Sequence, residues 1–242
     1  MSHGTQMNYA RYKYLVPVLI IALLVLTAIT PQLIPAQTFT GDTSRSSEGL
    51  GNYIGEFTYR LFSPTAAELD VTLQNTGPSG KGGFLTGFLF NNPGSYITGV
   101  NLSGTNPFFS LIGGPGFQNS ISASPFGNFD IGAAVGGNFL GGGNPGGGIP
   151  VGGDARFSFT VTGNNLDKLN ASSFVQAQSS EGDFFISRFR GFEGGGSDKV
   201  PAGSNQVSEP DIIFLIGAGL VGIAIFNKLN SIARLKKKIA KQ

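Results

Sequence analysis

Between residues 37 and 207 the side chains able to do acid–base or metal chemistry are almost all carboxylates. No Cys occurs among the 242 residues, and the one His is His3. Without imidazole or thiolate in that region, Ser-His-Asp triads, His general acid–base catalysis and nitrogen- or sulfur-ligated zinc are excluded. Two carboxylate groupings remain, Glu56, Glu68 and Asp70, and Glu181 with Asp183. A glycosidase needs two such groups facing each other across a cleft, whereas acids spaced like these are expected on solvated faces and loops. Oxygen-only Ca²⁺ coordination through Asp154, Asp183 or Asp198 is the one metal chemistry the residue types leave open. The expectation is a protein without catalytic residues, cofactor or assigned metal.

Two glycine patterns invite a nucleotide reading, and neither sustains it. Gly217-Ala218-Gly219-Leu220-Val221-Gly222 matches G-x-G-x-x-G, but a dinucleotide fold needs a further strand and an acid about 20 residues on. The residues after Gly222 are basic and include no acid. Gly217, Ala218, Gly219 and Gly222 read instead as small residues of a membrane helix, with Ala218-x-x-x-Gly222 open to close helix approach. The second pattern puts twelve Gly among residues 127–153. It lacks the Gly-Lys-Ser/Thr of a phosphate loop and is expected to be a flexible loop or flap.

The charges say where the chain resides. Residues 1–36 and 212–242 carry Arg11, Lys13, Lys228, Arg234, Lys236, Lys237, Lys238 and Lys241 and no acid, whereas residues 37–207 hold twelve acids against eight bases. The positive charge therefore flanks the apolar stretches Tyr14–Ile29 and Ile212–Phe226 and orients them in a membrane; a nucleic-acid partner is not implied. The N-terminus has the basic, apolar and small-residue parts of a secretory signal over residues 1–36, with cleavage expected between Ala36 and Gln37 and an uncleaved anchor as the alternative. The C-terminal stretch of fifteen uncharged residues covers only about 22 Å as a helix. Snorkelling of Lys228 extends it towards the hydrocarbon thickness. Both basic flanks then lie on the cytoplasmic side, and residues 37–207 lie outside.

In the tail, Ser208-Glu209-Pro210 precedes an apolar helix with central small residues and a basic cluster of Lys228, Arg234, Lys236, Lys237, Lys238 and Lys241. This resembles the PEP-CTERM sorting signal of bacterial exosortase substrates, with Ser208 where that motif has its first Pro. The resemblance covers about the last 35 residues. It implies cleavage near Glu209-Pro210 by a membrane-embedded exosortase and release to the envelope or matrix.

The elements that would carry these ends are strands. Alternating or apolar runs at Glu56–Phe62, Leu69–Leu73, Phe84–Phe90, Tyr96–Leu102, Phe129–Val135, Arg156–Thr162, Phe174–Gln178 and Phe184–Phe192 are separated by Gly, Asn and Pro. Phe57, Tyr59 and Leu61 are expected on one face, and Phe84–Phe90 is expected to be buried on both. Nineteen of the 21 Phe fall between residues 37 and 207, enough to fill a core without disulfides. The expected fold is all-β, an antiparallel, jelly-roll-like β-sandwich over residues 53–192, with a signal helix before it and a transmembrane helix after it. Residues 37–52 are expected to be a flexible segment, 193–207 a Gly/Ser-rich spacer, and 208–242 the sorting signal.

These residues point to an exported, non-enzymatic envelope or matrix protein. Its expected partners are the membrane, signal peptidase and an exosortase-type enzyme. The alternative is a surface-displayed module that binds exopolysaccharide. Trp being absent, its aromatic platform would fall to Tyr53, Tyr59 or Tyr96. Asn101-Leu102-Ser103 and Asn170-Ala171-Ser172 match the glycosylation sequon, which matters only in hosts that read it.

Overall fold

The computed structural model describes residues 35–113 and 119–208. In chain order the strands are β1 (Ala36–Gly41), β2 (Tyr53–Ser63), β3 (Ala66–Asn75), β4 (Gly82–Phe90), β5 (Ile97–Gly104), β6 (Phe109–Ile112) and β7 (Ile121–Ser122). They continue with β8 (Asn128–Phe129), β9 (Ile131–Val135), β10 (Asp154–Gly163), helix α1 (Ala171–Gln176), β11 (Phe185–Phe192), β12 (Ser197–Pro201) and β13 (Gly203–Ser208). Every strand pairing is antiparallel. A six-stranded sheet runs β13-β1-β2-β3-β10-β5, a five-stranded sheet β12-β11-β4-β9-β6, and β7-β8 form a small pair. The fold is all-β. Among the described residues no helix is long and apolar enough to cross a membrane; the expected signal helix and C-terminal span lie outside them.

Alternation carries the six-stranded sheet. Phe57 and Tyr59 on β2, Leu69, Val71 and Leu73 on β3, and Phe157, Phe159 and Val161 on β10 are all buried. Strand β4 is buried on both faces from Leu85 to Phe90, as its nearly continuous apolar run predicts, with the one polar side chain in it, Thr86, donating to the Arg188 carbonyl. Rings from the two large sheets meet in one core. Phe88 lies 4.8 Å from Phe157, Phe90 5.3 Å from Phe159, and Phe39 4.7 Å from Phe185, centroid to centroid. These are the tilted and edge-on spacings that aromatic pairs favour. On the other face of the five-stranded sheet, Leu89, Ala134 and Ile186 pack with Phe129 and Phe139 in a second, smaller cluster.

Five expectations need correction. Residues 37–52 are not a flexible segment. Strand β1 pairs residue for residue with β2, and Phe39 is buried against Phe57 at 4.9 Å. Aromatic residues oppose glycines across this pair, with Phe39 opposite Gly55 and Gly41 opposite Tyr53. A Cβ on Gly55 would stand 2.3 Å from the Phe39 ring, and one on Gly41 2.1 Å from that of Tyr53, so each ring occupies the space its glycine leaves. Residues 193–207 are likewise no spacer: they form β12 and β13, with Asp198 and Val200 fully buried. The Gly-rich stretch is no free flap either, because Phe139 is buried in it and Ile149 bridges to Leu85.

Phe174–Gln178 is not a strand either, because Phe174–Gln176 form the second half of helix α1 and Ala177 and Gln178 follow it. Asn170 and Ser173 form a reciprocal capping box, each side chain accepting from the other's backbone N–H at 3.1 Å. Ala171, Phe174 and Val175 then turn inward at helical spacing. Leu61 also departs from expectation, being 43 % exposed rather than core. The β2–β3 ladder slips between Leu61 and Ser63, and such a bulge bends the strand end off the core.

Candidate functional site

The two expected processing points converge on one sheet edge. Ala36 opposes Thr58 in β1–β2, and Gln37 has Phe57 on one side and Ser208 of β13 on the other. Thr38 pairs with Val207, and the register shifts before Thr40 meets Gly203. The described chain thus enters the sheet at Ala36 and leaves it at Ser208, on adjacent antiparallel strands. Of the residues expected to act in sorting, Ala36, Gln37 and Ser208 are brought together. Glu209, Pro210, Gly217, Ala218, Gly219, Gly222, Lys228, Arg234, Lys236, Lys237, Lys238 and Lys241 lie outside the described residues.

A buried carboxylate fixes this edge. Asp198 on β12 is fully buried. Its Oδ1 accepts from the Ser47 hydroxyl at 3.0 Å and the Glu48 N–H at 2.9 Å, and its Oδ2 from the N–H groups of Leu50 and Gly51 at 2.8 and 2.9 Å. Burial by itself would raise the Asp198 carboxyl; the N–H groups of Leu50, Gly51 and Glu48 outweigh it and hold the group below its ordinary value. Nearby, Arg45 donates to Asp183 at 2.6 Å and to the Ala202 carbonyl at 3.0 Å. Burial pushes the Asp183 carboxyl up, with Arg45 opposing. Ala202 is the single residue between β12 and β13. The loop that follows β1 is therefore tied to the strand and the joint that precede β13.

Two further acids, Asp70 and Glu68, are engaged in the fold, while Glu56 lies partly exposed on the outward face of β2. Asp70 accepts from Arg156 at 2.6 Å and from the Ser158 hydroxyl at 2.5 Å. Burial raises its carboxyl, and these donors more than offset that, so the net shift is downward. Glu68 pairs with Arg60 at 2.8 Å. Glu181 is exposed at a turn beside buried Asp183, and Asp154 is exposed at the start of β10. The three acids considered for Ca²⁺ are not gathered: Asp198 is saturated by N–H and O–H donors, and Asp183 is held by Arg45. Among the described residues no group of three or more His, Cys, Asp or Glu could hold a metal ion. Of the sequon residues, Asn101 is exposed on β5, while Asn170 caps α1.

The tyrosines considered as a sugar platform are mostly occupied within the fold. Tyr53 and Tyr59 are buried, the latter donating to the Leu166 carbonyl at 2.8 Å, and Tyr96 is half-buried. An exposed ring is found instead at Phe108, 62 % accessible. It borders a cleft of about 480 Å³ lined also by Pro107, Gly143, Asn144, Gly146 and Gly147. No family model matches the chain, and no curated protein compared with it matches.

Asp198 carries a stability prediction with a definite sign. Its lowered carboxyl contributes stability above the unfolded carboxylate range near 3.9, and the contribution is lost as pH falls through its lower folded value. Asp183, whose carboxyl is raised, works in the opposite sense. Asp198→Asn sets an amide NH₂ against N–H donors and should cost roughly 2–4 kcal/mol at neutral pH. Urea unfolding of the chain in mild detergent, followed by circular dichroism, should show this deficit at pH 7 and a smaller one near pH 3. An unchanged midpoint at pH 7 would remove the tie from the account.

Proposed function

We propose that this chain is an exported, non-enzymatic protein of the cell envelope or extracellular matrix. In this reading its C-terminal segment holds it in the membrane until an exosortase-type enzyme cuts near Ser208-Glu209-Pro210. The observation that carries the reading is the pairing of Gln37 with Ser208. With both basic flanks cytoplasmic, the exported region has to leave and rejoin the same membrane face. A domain whose first and last strands are antiparallel neighbours meets that demand without a long connection. The sandwich belongs to this proposal too. The ring contacts between β4 or β11 and β1, β2 or β10 support two sheets packed face to face in a jelly-roll-like domain.

The same pairing bears on the order of the processing steps. Ala36 and Gln37 belong to a paired ladder, and proteolysis favours exposed chain that is not held in such a ladder. Signal peptidase therefore acts before β1 joins β2, whereas the C-terminal cut falls just past Ser208, the last paired residue among those described, and suits the folded domain. Mass spectrometry of the protein from its native host tests this. The expected mature form begins at Gln37 and ends near Glu209-Pro210. A mature form that retains Lys236–Lys238 contradicts C-terminal processing.

A second reading, exopolysaccharide binding, is favoured by one feature, the cleft beside Phe108. An exposed ring next to backbone amides and Asn144, with no charged group in the lining, suits the apolar face and hydroxyls of a neutral sugar. Pull-down with the host's polysaccharide should retain the wild-type chain and lose Phe108→Ala. Equal retention of both would reject this site.

A further inference from the structure

Strand β2 does not stop where the chain enters the sheet. Ala36 lies opposite Thr58, and β2 continues to Ser63 before turning through Pro64 and Thr65 into β3. Because β1 and β2 are antiparallel, this overhang points the way the chain comes in at Ala36. It also points the way β13 goes out at Ser208. Phe62 lies five residues beyond Phe57, the residue whose partner Gln37 also faces Ser208, and so projects about 15 Å past that level.

The overhang ends in side chains unsuited to water. Phe62 continues the outward face of β2 carried by Ile54, Glu56, Thr58 and Arg60 and is 54 % exposed, and the ladder slip between Leu61 and Ser63 leaves Leu61 43 % exposed beside it. The Arg60 guanidinium lies 4.8 Å from the Phe62 ring centre and also pairs with Glu68. A second pair stands alongside, Lys168 at 6.0 Å from the Tyr96 ring. Its loop is bound to the hairpin, the Gly163 N–H donating to the Thr65 carbonyl and the Leu166 N–H to that of Pro64. Exposed Phe and Leu beside Lys or Arg make the kind of surface that lies in a membrane interface, and Tyr is itself enriched there. Arg60 and Lys168 stand against Glu68 and Asp167 here, so apolar insertion rather than net charge would hold this end.

Chain length decides what lies opposite. Between Ser208 and the first residue of the apolar stretch, Ile212, stand only Glu209, Pro210 and Asp211. Even fully extended, the path from Ser208 to Ile212 spans at most about 14 Å, no farther than the hairpin tip reaches. We propose that the β2–β3 hairpin tip, through Leu61, Phe62 and Arg60, sits in the lipid headgroup layer of the bilayer that holds the tail. The domain is thereby seated on that membrane until the tail is cut. This rests on the reading of residues 212–226 as a membrane segment. With that segment in the bilayer and the strands near the membrane normal, so short a tether brings the tip to the bilayer surface.

The chain has no Cys, so single labelling sites carry no background. Full-length chain bearing an environment-sensitive fluorophore at Phe62→Cys, Gln74→Cys or Leu215→Cys is reconstituted into phosphatidylcholine–phosphatidylglycerol vesicles containing lipid spin-labelled near the headgroup. Gln74 is exposed at the far end of β3. Loss of fluorescence is expected at positions 62 and 215 and not at 74. Quenching at 215 with none at 62 overturns the hairpin contact while leaving the membrane tail intact. No quenching at either position overturns both. A blue shift at 62 without quenching means that protein, a second copy included, covers the tip, and this too overturns the proposal.

Discussion

Asp198 has no contact with solvent, and each of its four hydrogen-bond donors comes from the Ser47–Gly51 segment. This one carboxylate ties the loop that follows β1 to β12, the strand that precedes β13. On one side it fixes the loop leading from β1 to β2, and on the other it lies shortly before the joint that starts β13. A buried charge is costly unless fully hydrogen-bonded, so the loop and strand hold together or release together. The Arg45 guanidinium adds a second strap, from Asp183 to the Ala202 carbonyl. In a chain without disulfides, these polar ties and the Phe39 ring perform the closure that a covalent bridge would otherwise supply.

Aromatic packing holds the remainder of the domain. Phe residues on β1, β2, β4, β10 and β11 meet at centroid separations of about 5–6 Å, in the range that aromatic pairs favour. Glycines opposite several of them are part of the same packing: a Cβ on Gly51 would fall 2.5 Å from the Phe189 ring, and one on Gly83 2.4 Å from that of Phe192. High Gly and high Phe content are thus two sides of one design, which the composition records without showing where each pair meets.

The strands readable in the sequence were those with a face to bury. Glu56–Phe62, Leu69–Leu73, Phe84–Phe90, Tyr96–Leu102, Arg156–Thr162 and Phe184–Phe192 correspond to β2, β3, β4, β5, β10 and β11. Strands β1, β12 and β13 escaped because no run of alternating apolar residues marks them. Their order comes from backbone pairing, one aromatic ring and a carboxylate whose donors lie about 150 residues away in the chain. Helix α1 was hidden for a different reason. Phe174 and Val175 look like a strand until Ala171 is counted with them and Asn170 and Ser173 are seen as a capping pair. Of the candidate site, the residue types at the two ends were legible; their adjacency was not, because register between distant strands leaves no local signature.

The central claim is that the chain enters and leaves its domain side by side, and a cross-link tests it most directly. Opposed residues of an antiparallel pair have Cα atoms about 4.5–5.5 Å apart, within disulfide range. In the otherwise cysteine-free chain, Gln37→Cys combined with Ser208→Cys should give an intramolecular disulfide on mild oxidation of the folded protein. Urea should abolish its formation. Free thiols, or cross-links only between molecules, would show that the two ends do not meet and would contradict the account.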